Sequence, residues 1–293
     1  GIYTTSMYKI LKNKLLAPNI YLMDVHAPRV ASSALPGQFV IVRTGELGER
    51  IPLTVCDYDR EKGTVTIVVQ VVGASSRKIC SLKEGDGFTD FVGPLGHPSE
   101  FVNEDDATLR SKRRLFIAGG VGAAPVYPQV KWLQQRGAQT DVIIGGRSKD
   151  FILLEEEMKA CGARVHIATD DGSRGYHGLV TGLFKELVGS GEKFDEVIVI
   201  GPMIMMKFAA LATKEYGIRT IASLNSMMVD GTGMCGACRV TVGGQTRFTC
   251  VDGPEFDAHQ VDFDLAMRRS AMYRDTEKER DCRCMEELAA GCK

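Results

Sequence analysis

The sequence predicts a multi-domain protein: an antiparallel β-barrel, an α/β domain with a parallel sheet, and a small C-terminal cysteine-bearing module. Three observations predict it. Residues 7 to about 105 carry short β-branched or alternating runs broken by turn residues. Beyond them, strand-like and helix-like segments alternate. The nine cysteines are unevenly spread, and Cys235, Cys238, Cys250, Cys282, Cys284 and Cys292 crowd the end of the chain.

The barrel reading rests on the runs Ile20–Val25, Phe39–Thr44 and Thr64–Val72, bounded by Pro36-Gly37, Gly63, Glu84-Gly85-Asp86-Gly87 and Gly93-Pro94. The charged run Glu104 to Arg114 reads as a solvated linker. The apolar strand Leu115–Ala118 follows, then a glycine-rich turn and a helix to Arg136. Further strands are expected at Asp141–Ile144, Arg164–Thr169 and Glu196–Ile200, and helices at Leu153–Cys161, Val180–Leu187 and Met203–Glu215. The tail from Phe263 to Glu287 is charged and reads as helical.

Composition narrows the function. The 293 residues hold 36 Lys+Arg against 37 Asp+Glu, so the basic surplus of a nucleic-acid binder is missing. No apolar run approaches the roughly 18 residues of a membrane span. The start GIYTTSMYKI lacks an apolar signal core, so a cytoplasmic protein is expected, with the natural start at Met7. An odd cysteine count in such a chain argues against a disulfide framework.

Gly119-Gly120-Val121-Gly122-Ala123-Ala124-Pro125 joins a strand to a helix. Glycines there admit a pyrophosphate close to backbone, and the helix N-terminus favours its charge. The same turn also serves as a tight connection with no ligand. Asp170-Asp171 follows a later strand; a carboxylate there accepts from a ribose diol and repels a 2′-phosphate, which favours NAD(H) over NADP(H). An acidic turn is the alternative. Gly201-Pro202-Met203 follows another strand end, as a ligand contact or a simple strand stop.

Cys235-x2-Cys238, then Cys250, with Asp230 upstream, fits the plant-type 2Fe–2S spacing if Asp230 takes the first position. The spacing favours iron over zinc, for which Cys282-x-Cys284 and His259 would be the further ligands. Cys56, Cys80 and Cys161 read as small core hydrophobes.

Barrel, glycine-rich domain and cysteine module in this order resemble the ferredoxin–NADP reductase superfamily, over essentially the whole chain from Met7. The closest branch holds the dihydroorotate dehydrogenase electron-transfer subunit and the small subunit of NADH-dependent ferredoxin:NADP oxidoreductase. The resemblance implies a FAD-binding barrel over 7–105, an NAD(P)-binding domain over 106–222 and a 2Fe–2S module over 223–293. It implies that Arg50, Pro52, Leu53 and Thr54 form the flavin loop, with the Thr54 hydroxyl near flavin N5 as the catalytic contact. Val68, Val69 and Gln70 match the second FAD strand, where Gln70 replaces the usual Arg; Gly73, Ser75 and Ser76 match the pyrophosphate-holding helix start. Barrel packing and helix capping are the alternatives for these. Gly119 to Pro125 match the NAD(P) loop and Gly201-Pro202 the nicotinamide side, with Ile200 where many relatives carry Cys. Asp230 with three cysteines, Val261-Asp262-Phe263-Asp264 and the Cys-x-Cys tail look like the ferredoxin:NADP oxidoreductase small subunit.

That resemblance implies hydride exchange between NAD(H) and FAD and single electrons through the cluster to a larger iron–sulfur flavoprotein, in an electron-bifurcating complex. The alternatives are a dihydroorotate dehydrogenase electron-transfer subunit, a redox-responsive module without turnover, and a zinc-stapled nucleotide-binding protein.

Overall fold

The computed structural model describes residues 7–224 and 238–271. Seven strands build the first sheet: β1 (Tyr8–Ala17), β2 (Ile20–His26), β3 (Phe39–Arg43), β4 (Ile51–Asp59), β5 (Thr64–Gln70), β6 (Gly87–Phe88) and β7 (Asp90–Leu95). Their order is β6-β1-β2-β5-β4-β3-β7, all pairs antiparallel, a nearly closed barrel. Strand alternation sends Met23, Val25, Val40, Val42, Val65, Ile67 and Val69 inward. Helices α1 (Pro28–Ser33) and α2 (Ala74–Cys80) add Val30, Ala31, Ile79 and Cys80 to the same core.

The next unit begins with α3 (Asp106–Ser111) and winds through β8 (Arg114–Gly119), α4 (Ala123–Gln135), β9 (Thr140–Gly146), α5 (Glu155–Ala160), β10 (Arg164–Thr169), β11 (Tyr176–His177), α6 (Val180–Gly189), β12 (Glu196–Ile200), α7 (Met203–Glu215) and β13 (Arg219–Ser223). The strands through β13 run parallel. All six β8 residues are buried, because helices cover both faces of a parallel sheet. Phe116 and Ala118 enter one apolar cluster and Leu115 and Ile117 the other.

The C-terminal part holds the hairpin β14 (Arg239–Val242) and β15 (Gln245–Phe248), then α8 (Thr249–Asp252) and β16 (Glu255–Asp257). β16 pairs antiparallel with β13, so the parallel sheet continues past residue 222 and recruits a strand from the cysteine-bearing segment. Residues 263–271 are helical, and Phe263 and Ala266 pack with Met203, Met206 and Ala209 of α7.

The charged run 104–114 is not a solvated linker. Asp105 caps α3, its carboxylate accepting from the Thr108 N–H at 2.8 Å. Arg114 is 1% exposed, 2.8 Å from Glu104, with its guanidinium 5.5 Å from the Phe101 ring centroid. A cap and an ion pair let the charges leave solvent, which a count of charges does not show. The helix expected from Leu153 starts at Glu155, because Leu154 sits in the left-handed region at φ 60°.

Candidate functional site

The strand order β11-β10-β9-β8-β12-β13-β16 reverses its winding between β8 and β12. Ligands of open α/β sheets sit outside the carboxyl ends of the strands at such a point. The glycine turn lies there for reasons of packing and backbone shape. A Cβ on Gly122 would stand 2.2 Å from the Ile200 carbonyl oxygen, so only glycine lets α4 begin against β12. A Cβ on Gly119 would meet Met205 Sδ at 2.4 Å, and one on Gly201 would stand 3.2 Å from Gly119 N. Gly120 differs: its φ is +56° and nothing lies within 4 Å of a Cβ built on it. Ala123, Ala124 and Pro125 are buried in the first turn of α4, and Val121 is half-buried. Pro202 and Met203 open α7, so two helix N-termini, each a favourable place for negative charge, adjoin one crevice.

Asp170 follows β10, two strands from β8 along the same carboxyl edge. It is exposed, and its N–H donates to the Gly146 carbonyl at 3.1 Å. Hydrogen bonds from Ser173 hold the Asp171 carboxyl below the usual range. Sequence reasoning passed over Arg147, which follows β9 between the glycine turn and Asp170, its guanidinium 4.3 Å from the Phe151 ring centroid. The signal was there in Gly146-Arg147-Ser148 at a strand end.

The barrel supplies a second opening. β4 changes partner midway: Ile51 to Thr54 pair with β3, and Val55 to Asp59 pair with β5 across a bulge between Val55 and Asp57. Val68, Val69 and Gln70 pair only with β2 among the described residues. Two strand edges, Pro52-Leu53-Thr54 and Val68-Val69-Gln70, therefore diverge and leave a notch. Pro52, Leu53 and Thr54 are half-buried, and Gln70 is exposed. Val69 points into the barrel and Val68 packs against the α4 cluster, so their backbone edge rather than their side chains borders the notch.

Gly73 precedes α2 beyond that notch. The Ser76 hydroxyl accepts from the N–H groups of Val72 (2.8 Å) and Gly73 (3.0 Å), so it is committed to closing the helix start. Ser75 donates to Glu49 Oε2 at 2.7 Å, and Arg50 is exposed just before β4.

Of the cluster residues, Asp230 and Cys235 lie outside the described residues. Cys238 and Cys250 are buried with their Sγ atoms 2.9 Å apart. The hairpin β14–β15 brings them together: it spans 239–248, and the Thr249 N–H donates to the Cys238 carbonyl at 3.0 Å. Phe39, Ile41, Leu95 and Phe248 surround the pair. Two convergent thiols in an apolar shell fit the donor set of an iron–sulfur cluster. Cys56 and Cys80 stand apart in apolar clusters, where burial pushes the Cys80 thiol up to about 11.

Two family models match the chain. Residues 116–210 match the oxidoreductase NAD-binding domain, and residues 225–262 match the iron–sulfur cluster binding domain of dihydroorotate dehydrogenase B. The chain is thus an NAD-linked oxidoreductase subunit on a ferredoxin-reductase-like fold, and the cofactor set of these domains is FAD, an iron–sulfur cluster and NAD(H). It is 57% identical over 272 residues to the adh 3′-region protein of Clostridium beijerinckii, covering 92% of each chain. It is 45% identical over 274 residues to the dihydroorotate dehydrogenase B (NAD(+)) electron transfer subunit homolog of Thermotoga maritima, covering 94% of each. A chain from the solved NADH-dependent reduced ferredoxin–NADP oxidoreductase, described in terms of flavin-based electron bifurcation, superposes with a TM-score of 0.86 at 41% identity. It covers 97% of this chain and 99% of that one. The chain belongs to the family of dihydroorotate dehydrogenase B electron-transfer subunits and their homologues. Among the described residues, no helix is long and apolar enough to cross a membrane.

Proposed function

We propose that the chain is the small subunit of an NADH-dependent ferredoxin:NADP oxidoreductase, exchanging hydride with NAD(H) and single electrons with a larger iron–sulfur flavoprotein in the cytoplasm. One observation carries this reading: the barrel notch, the crevice at β8 and β12, and the cysteine pair are neighbours in one chain. The match to a bifurcating oxidoreductase over 97% of the chain supports it.

In this reading Gly119 to Pro125 cradle the dinucleotide phosphates, with Gly120 offering open backbone. Gly201, Pro202 and Met203 orient the nicotinamide, and Asp170 accepts from the ribose diol. Pro52, Leu53 and Thr54 face Val68, Val69 and Gln70 across the notch and present backbone groups to the edge of a flat polar ring; Thr54 adds a hydroxyl. Arg50, Gly73 and Ser75 receive the flavin pyrophosphate, and Ser76 shapes that helix start. FAD, when bound, converts between two-electron and one-electron transfer. Asp230, Cys235, Cys238 and Cys250 hold a 2Fe–2S cluster.

The experiment is anaerobic purification of the native complex, with absorbance spectrum, iron and acid-labile sulfide analysis, and partner identification. Bound FAD, equal iron and sulfide, and a co-purifying pyridine-nucleotide flavoprotein are expected. An FMN barrel enzyme as partner would assign the chain to dihydroorotate oxidation. Zinc without sulfide would overturn both.

A further inference from the structure

A buried polar contact joins the three parts of the molecule and is used by none of the sites above. Ser99, in the segment between barrel and α/β domain, is fully buried, and its N–H donates to the Pro36 carbonyl at 2.9 Å. Its hydroxyl oxygen lies 2.8 Å from Glu255 Oε1 and 3.1 Å from Gln129 Oε1. Gln129, on α4, is 1% exposed, and its Nε2 donates to the Pro125 carbonyl at 3.0 Å. That bond orients the amide, because turning it would set two carbonyl oxygens face to face. Gly37 closes the remaining side: a Cβ there would stand 2.6 Å from Ser99 Oγ and 3.3 Å from Glu255 Oε1.

Proton counting decides the state of this group. The Ser99 hydroxyl has one hydrogen and two oxygen acceptors within reach. With Glu255 ionised, one of those contacts is oxygen against oxygen at the fully buried Ser99, a costly arrangement even though Glu255 itself is half-buried. With Glu255 protonated, the carboxyl donates to Ser99, Ser99 donates to Gln129, and Gln129 donates to Pro125. Every group is then satisfied. The surrounding charges act in both directions. Arg219 on β13 is divided between Glu100 Oε2 (2.6 Å) and Glu196 Oε2 (3.3 Å), so its charge is already shared by two other carboxylates. Glu100, beside Ser99, and Glu196 on β12 both disfavour a third negative charge at Glu255, Arg219 opposes them, and Gln129 and Gly37 bring no charge.

We propose that Glu255 is carried as a neutral carboxylic acid, and that its proton is the positioning contact tying the Cys250 segment to the helix that begins in the glycine turn. The chain of bonds runs from β16, five residues past Cys250, through the linker to Pro125. Burial is the largest influence on the group and pushes its pKa up to about 7, against the lowering effect of the Ser99 hydrogen bond. Loss of the proton above that value breaks the Ser99–Gln129 or the Ser99–Glu255 contact. The sign follows from proton binding. The folded chain holds a proton that the unfolded chain has released, so this group makes stability fall as pH rises from about 4.5 to about 7, and level off above.

The test uses the full chain as purified, and neither readout depends on the electron-transfer reading. Infrared difference spectra of the wild type at about pH 6 should show a carboxylic-acid C=O band that fades with a midpoint near 7 and is missing from Glu255→Gln. Glutamine replaces the acid O–H with an amide N–H toward Ser99. The wild-type melting temperature should therefore fall relative to Glu255→Gln by several degrees between roughly pH 5 and 8. Should that variant fail to fold, Ser99→Ala keeps the question open to measurement, because removing the acceptor must shift the wild-type acid band. A wild type without the band, a band unchanged in Glu255→Gln or Ser99→Ala, or parallel melting profiles would overturn the proposal.

Discussion

Phe39 stands directly opposite Thr54 on the β3–β4 ladder and, with Ile41, closes the apolar cluster that holds Cys238 and Cys250. One strand spacing, about 4.8 Å, thus separates the notch edge from the residue that seats the cysteine pair. Val40 and Val42 point the other way, into the barrel. A period of two residues is what makes one short strand serve both sides. Gly96 completes the seat: its φ is +79°, and a Cβ there would press on the Phe39 ring at 2.8 Å.

Phe39 is fully buried, so Phe39→Ala should cost about 3–5 kcal/mol by thermal or denaturant unfolding. Phe39→Leu removes fewer atoms, stays apolar and should cost less than Phe39→Ala. The milder variant should fold and retain iron, yet show slower bleaching of the cluster by NADH in stopped-flow absorbance. An unchanged rate would separate Phe39 from the path between notch and cluster.

Gly122 and Gly120 should respond differently to alanine. Gly122→Ala drives a Cβ onto the Ile200 carbonyl, backbone against backbone, and should destabilise the fold by about 3 kcal/mol. Gly120→Ala meets nothing and suffers only its positive φ, about 1–2 kcal/mol. Its methyl projects toward open space over the crevice, so NADH affinity should fall more than stability does. Paired melting curves and NADH titrations check this, and equal losses in both measures would contradict the assigned phosphate cradle.

How much of this was legible in the sequence depended on the range of the interaction. The glycine turn, Gly201-Pro202 and the strand–helix alternation are local patterns, and they mark the crevice where β8 and β12 lie side by side. Capping was one of the alternatives open for Ser76, and its bonds to Val72 and Gly73 show that the hydroxyl is engaged there. The return of Glu255–Asp257 to β13 and the meeting of Ser99 with Gln129 and Glu255 join distant segments. No periodicity encodes such contacts. The run 104–114 misled because Arg114 leaves solvent through a partner ten residues away and a ring at Phe101.

That ion pair sets an acid response. Burial raises the Glu104 carboxyl, but hydrogen bonds from Lys112 and Arg114 outweigh it and hold the group below the usual carboxylate range. A depressed folded pKa gives stability that is present above the unfolded value and lost as pH falls through the folded one. Glu104→Gln should flatten this part of the acid limb of a melting-temperature profile. It should also lower stability near neutral pH, since Arg114 is left buried without its carboxylate. A profile parallel to wild type would show that the pair carries no linkage.

The cluster ligands make the last prediction. Cys238→Ser and Cys250→Ser each remove one of two thiols that meet at 2.9 Å, and both should lose iron and acid-labile sulfide. Cys56→Ala should keep them, because Cys56 is buried in the cluster between barrel and α4, where burial pushes its thiol up. Asp230→Cys asks about the fourth position, which the spacing assigns to a carboxylate. Thiolate in place of oxygen changes the charge and softness of one ligand, so the potential and the electron paramagnetic resonance spectrum should both move while iron content stays. An unchanged potential and spectrum would remove Asp230 from the ligand set.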